Sequence, residues 1–94
     1  MDKSFRDKVV VVTGASSGIG KSIVMEMAQR QATVILIARN VAKLEEIAAE
    51  AQALSGEDAY VIPADLSHAE EIEAAFAQIA DKVDHVDYLI NAAG

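Results

Sequence analysis

The sequence predicts an α/β fold, a parallel sheet built in the order βαβαβαβ. Three observations predict it. Short β-branched runs alternate with longer stretches of helical spacing, the connections are only a few residues long, and a glycine-rich segment separates the first run from the first amphipathic stretch. Strands that alternate with helices are joined by right-handed crossovers, and such crossovers make neighbouring strands parallel. The expected strand order is 3-2-1-4.

Each element has its own justification. Val9-Val10-Val11-Val12-Thr13 is continuous and β-branched, which suits a strand buried on both faces. Gly14 to Gly20 form the glycine-rich turn. From about Ser17 to Gln31, Ile19, Ile23 and Met27 recur at helical spacing, with Val24 and Ala28 beside them. Thr33-Val34-Ile35-Leu36-Ile37-Ala38 is a second buried strand. Asn40 caps a helix to about Leu54, with Val41, Leu44, Ile47, Ala48 and Ala51 on one face. Ser55-Gly56-Glu57-Asp58 stops it. Ala59 to Pro63 form a third strand, with Pro63 at its end because it has no N–H to give. Ser67-His68-Ala69-Glu70 has the capping-box pattern and opens a helix with Ile72, Phe76, Ile79 and Val83 on its apolar face. Asp87 to Asn91 form the fourth strand, followed by Ala92-Ala93-Gly94.

Composition narrows the function classes. The 94 residues carry a formal net charge of −7, with 52% hydrophobic residues and no Cys. That apolar fraction excludes a disordered tail, and the absence of Cys excludes a disulfide scaffold or a thiolate metal site. The acidic balance argues against nucleic-acid binding. No stretch has the length of a membrane span and no secretory leader opens the chain, so cytoplasmic residence is expected. His68 and His85 read as surface histidines, and no metal site is expected.

The turn Thr13-Gly14-Ala15-Ser16-Ser17-Gly18-Ile19-Gly20 carries the chemistry. Gly14 lets the chain leave the strand sharply. Gly18 removes a side chain where backbone N–H groups approach a phosphate, and Gly20 allows close helix packing. The helix start then offers N–H donors and partial positive charge, and Ser16 and Ser17 add hydroxyls. Two ligand readings compete. Ala15 to Ser22 spell A-x-x-x-x-G-K-S, one residue short of the phosphate loop of nucleotide triphosphatases, with Lys21 and Ser22 in the phosphate and Mg²⁺ roles. The alternative is a dinucleotide turn with Lys21 on the surface.

The rest of the chain favours the dinucleotide. Thr13 to Gly20 match T-G-x-x-x-G-x-G, Asp65-Leu66 follows the third strand, and Asp87-Tyr88-Leu89-Ile90-Asn91-Ala92-Ala93-Gly94 is similar to D-x-L-V/I-N-N-A-G. Together these resemble the short-chain dehydrogenase/reductase family over essentially the whole chain. Ala92 replaces the second Asn and removes one amide. The resemblance implies a Rossmann-type sheet, with Gly14, Ser16, Ser17, Gly18, Ile19, Gly20, Asp65, Leu66, Asn91 and Gly94 around the cofactor and Asp65 on the adenine ring.

The end of the second strand selects the dinucleotide. An acidic residue there would bind the ribose 2′-OH of NAD. This chain has Ala38-Arg39-Asn40 instead, and a guanidinium suits a 2′-phosphate. Arg39 and Asn40 therefore join the site, and NADP(H) is expected over NAD(H). Arg39 could otherwise be a surface cation paired with Glu45 or Glu46. The second basic signal of some NADP-dependent members would stand at Ser17 and is missing.

The family's acid/base Tyr-x-x-x-Lys does not occur, so no catalytic residue is assigned. The expectation is that residues 1–94 are the N-terminal part of a single cofactor domain whose catalytic half is absent. The fourth strand is then an exposed edge beside a bare apolar strip. The complete form would act on a small carbonyl or alcohol substrate as a homo-oligomer, and the 94 residues alone would be inactive. The competing reading is a non-catalytic nucleotide-binding or interaction module.

Overall fold

Four apolar runs and three amphipathic stretches become four strands and three helices in the computed structural model, which describes residues 4–92. They are β1 (Val9–Thr13), α1 (Gly18–Gln29), β2 (Thr33–Ala38), α2 (Val41–Ser55), β3 (Ala59–Pro63), α3 (Ala69–Lys82) and β4 (Tyr88–Asn91). Among the described residues the sheet is parallel with the order β3-β2-β1-β4. That is the predicted order. Gly94 lies outside the described residues.

The unbroken β-branched run of β1 is explained by the two layers it serves. Val10 and Val12 join Val34 and Leu36 in a core with α1 and α2. Val9 and Val11 join Ile35, Ile37 and Ile62 against α3 on the opposite face. Alternation along each strand therefore feeds two cores.

Helix faces follow the pattern less closely. In α1 the buried line is Gly20, Val24 and Ala28, while Ile19 is 70% exposed. In α3 Ala75 and Ile79 are buried, whereas Phe76, expected in the core, is 57% exposed. Leu89 of β4 is 59% exposed, and both lie on the bare strip beside the unpaired edge. The expected capping box of α3 is not made either. His68 is the N-cap and gives no side-chain bond. Ser67, one residue before the cap, instead donates from Oγ to Asp65 Oδ1 at 2.6 Å, a charge-assisted bond.

Asp87 ties β4 to β1. Its Oδ2 accepts from the Val9 N–H at 2.7 Å and lies 3.0 Å from His85 Nε2. The Val9 bond holds the Asp87 carboxyl below its ordinary value, helped by the charges of His85 and Lys8. A carboxylate depressed by folding stabilises the fold when ionised. Its contribution is complete above the ordinary aspartate value of about 3.9 and is lost as pH falls through the depressed one. Asp87→Asn is expected to lower the urea midpoint at pH 7 and to flatten its decline between about pH 4 and pH 2. An acid limb as steep as that of the unaltered protein would reject this role.

Candidate functional site

The C-terminal ends of the strands gather the candidate residues. Thr13 is in register with Ile37 and Asn91, and Ala38 with Pro63. The residues that follow therefore emerge side by side at one edge of the sheet, where open α/β sheets bind ligands. A cleft of about 680 Å³ opens there, lined by Gly14, Ser16, Arg39, Asp65, Leu66 and Asn91 among others. Its floor is apolar, from Val11, Ile37, Phe76 and Leu89.

The turn after β1 is built by its own atoms. Gly14 has φ 67°, a left-handed conformation in which a side chain is strained. Its N–H donates to Ile37 O at 2.9 Å, which fastens the turn to β2. Ser17 Oγ donates to Gly14 O and accepts from the Gly20 N–H, both at 2.9 Å. The Ser17 hydroxyl thus braces the turn and caps α1. The packing role of Gly20 is confirmed, but against the turn rather than the sheet. A Cβ there would stand 2.7 Å from Ala15 Cα and closer still to Gly14 O. A Cβ on Gly18 would meet nothing within 4 Å.

These constraints leave donors unspent. No described residue accepts from the N–H groups of Ser16, Gly18 or Ile19. Three backbone donors beside an uncrowded glycine at a helix start suit an anionic oxygen. The triphosphatase roles do not fit. Lys21 Nζ pairs with Glu50 at 3.4 Å, and Ser22 Oγ donates to Gly18 O within its own helix.

Arg39 stands at the end of β2 with its side chain 79% exposed. Its partner is Asp65, Nη1 to Oδ2 at 4.0 Å, rather than Glu45 or Glu46. Asn40 Oδ1 accepts from the Lys43 N–H at 3.1 Å, so that oxygen caps α2. Asp65 accepts two bonds from Ser67, from N–H at 3.0 Å and from Oγ at 2.6 Å. Those bonds, the hydroxyl's first, hold the Asp65 carboxyl below its ordinary value, with smaller help from His68 and Arg39. It is an anion at neutral pH.

Two groups escaped the sequence reading. Thr13 Oγ1 donates to Asn91 Oδ1 at 2.9 Å and lines the cleft, although only its place in the glycine motif marked it. His68, read as isolated, has Nε2 3.5 Å from Asp65 Oδ2. The donor atoms of Asp65, His68 and Glu71 lie within 4.8 Å of one another. Glu71 Oε1 is engaged by the Asp65 N–H at 2.8 Å, and a guanidinium flanks the group. This is how a hydrogen-bonded helix start is held. The i, i+3, i+6 spacing of Asp65, His68 and Glu71 was the available signal.

Tyr60 is no proton donor for the cleft. Burial first, then the hydrogen bond and charge of Asp58, push its phenol above its ordinary value. Its hydroxyl is 3.1 Å from Asp58 Oδ2, and Tyr60 is not among the cleft residues.

A family model described as short chain dehydrogenase matches residues 8–94. The chain belongs to the short-chain dehydrogenase family. It is 44% identical over 87 residues to 11-beta-hydroxysteroid dehydrogenase A of Sesamum indicum, covering 93% of this chain and 25% of that protein. L-sorbose reductase of Gluconobacter frateurii, solved with NADPH and L-sorbose, superposes with a TM-score of 0.92 at 33% identity, over 100% of this chain and 36% of that one. NAD⁺-bound xylitol dehydrogenase gives 0.87 at 25% identity, over 93% and 33%. The chain thus spans a quarter to about a third of these relatives' lengths, and its fold is shared by an NADPH-bound and by an NAD⁺-bound enzyme. No helix among the described residues is long and apolar enough to cross a membrane.

Proposed function

We propose that these residues form the NADP(H)-binding portion of a short-chain dehydrogenase. The whole protein would transfer hydride between the nicotinamide and a carbonyl or alcohol substrate. One observation carries the choice of cofactor: Arg39, exposed at the end of β2, lines the same cleft as Gly14 and Ser16 of the phosphate turn. The residues that end β2, Ala38-Arg39-Asn40, include no carboxylate of their own to accept from a 2′-OH.

The geometry supports a division of labour. The N–H groups of Ser16, Gly18 and Ile19 take the pyrophosphate. Arg39 takes the 2′-phosphate, with Asn40 beside it. Asp65 and Leu66 flank the adenine, and Asn91 stands at the ribose side, fixed by Thr13 Oγ1. A bound nicotinamide would supply the hydride chemistry, and this chain's own task is to hold and orient it. We place the substrate groups, the acid/base residues and the contacts of a homo-oligomer in the remainder of a single domain to which these residues belong. Cytoplasmic residence goes with the same reading.

The test is a calorimetric titration of the full-length protein with NADPH and NADH. NADPH is expected to bind more tightly. Arg39→Asp is expected to shrink the NADPH:NADH affinity ratio about tenfold to hundredfold, the worth of hydrogen bonds to a charged group. Preference of the unaltered protein for NADH would overturn the assignment. The 94 residues alone should show no carbonyl reduction.

A further inference from the structure

The cation that marks the proposed 2′-phosphate site has a carboxylate beside it. Arg39 Nη1 and Asp65 Oδ2 are 4.0 Å apart, within ion-pair range but too long for a hydrogen bond. Asp65 therefore does not orient the guanidinium. It offsets its charge. Among the described residues lining the cleft, Arg39 is the one Lys or Arg, so this offset falls on the site's single permanent cation.

The carboxylate is also held in place. Ser67 donates to Oδ1 from N–H and Oγ, and Oδ2 faces His68 Nε2 at 3.5 Å. Glu71 Oε1 accepts from the Asp65 N–H at 2.8 Å and fixes the backbone beneath it. A side chain braced at both ends does not swing away when an anion reaches Arg39. Its charge stays, and a 2′-phosphate of close to two negative charges at neutral pH meets Arg39 and Asp65 together.

Resting on the NADP(H) reading, we infer that Asp65 determines cofactor selectivity: it is a fixed counter-charge that holds down the preference for a 2′-phosphorylated dinucleotide. NADPH and NADH share the adenine, the pyrophosphate and the nicotinamide. Any contact of Asp65 with the adenine weighs on both alike and cancels in the affinity ratio. The charge at Asp65 weighs on the shared pyrophosphate alike in both ligands, and on a 2′-phosphate in NADPH alone. The selectivity of this site is then a balance between two residues from different loops, Arg39 after β2 and Asp65 after β3.

The experiment titrates NADPH and NADH into the full-length protein and its Asp65→Asn variant at low and high salt. Asp65→Asn is expected to raise the NADPH:NADH affinity ratio about threefold to tenfold at low ionic strength, with the gain shrinking in about 0.5 M salt as charges are screened. A ratio that stays or falls overturns the inference. So does a gain independent of salt, which would point to altered packing. If Asp65→Asn does not fold, Asp65→Ser keeps a short hydrogen-bonding side chain without the charge and carries the same expectation. Failure of the unaltered protein to bind either dinucleotide, or its preference for NADH, would instead defeat the NADP(H) reading.

Discussion

Gly20→Val is expected to abolish dinucleotide binding and to cost about 3 kcal/mol of stability, the upper range for overpacking. The reason is local. The added Cβ would stand 2.7 Å from Ala15 Cα and closer to Gly14 O, and both are backbone atoms of a turn fixed by its bonds to Ile37 O. Neither can retreat without breaking the turn that presents the N–H donors. Gly18 makes the contrasting case. A Cβ there meets nothing within 4 Å, and its φ is not positive. Gly18→Ala should therefore leave stability within about 0.5 kcal/mol. On the proposed function it should still weaken NADPH binding about tenfold or more, because the methyl would stand beside the N–H donors assigned to the pyrophosphate. Urea midpoints and NADPH titrations of both variants check the pair. Equal destabilisation by the two would show that Gly18, too, is a packing residue.

Leu36→Ala is expected to cost about 2–5 kcal/mol, the range for emptying a buried leucine site. Leu36 is 0% exposed and sits in β2, hydrogen-bonded to β1 on one side and β3 on the other. It packs in the core that α1 and α2 close, with Val12, Leu44 and Ile47. A sheet strand bonded on both sides cannot shift to fill the cavity. Since whole domains are stable by about 5–15 kcal/mol, one such loss is a large part of the total. Val41→Ala, at the exposed start of α2, serves as a control and should shift the midpoint little. A Leu36→Ala midpoint close to that of the control would contradict the two-layer core.

Much of the fold is legible because strand burial leaves a direct mark. Val9 to Val12 must be apolar at every position when both faces are covered, and the structure covers both. The helices are less legible because an amphipathic stripe states a face but not its centre. The pattern allowed Ile19 and Phe76 to be core, yet the buried lines run through Gly20, Val24 and Ala28 and through Ala75 and Ile79. Gly20 lets α1 lie against the turn after β1, and the larger Ile19 and Phe76 are left outside.

The candidate site divides in the same way. Spacing along the chain singled out Gly14, Gly18 and Gly20, the end of the second strand singled out Arg39, and the family resemblance singled out Asp65 and Asn91, because turns and strand ends have local signatures. It did not show which polar atoms are already engaged. Ser17 Oγ and Asn40 Oδ1 are taken by helix caps, and the Asp65 carboxylate by Ser67 and Arg39.

What the sequence determined by itself is the element order, the parallel topology and the glycine-rich turn, all set by periodicities and residue types within a few positions of one another. Only the tertiary structure decided that Arg39 faces Asp65, that Thr13 bonds to Asn91 and that Phe76 and Leu89 stay exposed. These depend on which strand ends lie side by side in a 3-2-1-4 sheet. They are contacts between residues distant in sequence, and a local pattern carries no record of such distances.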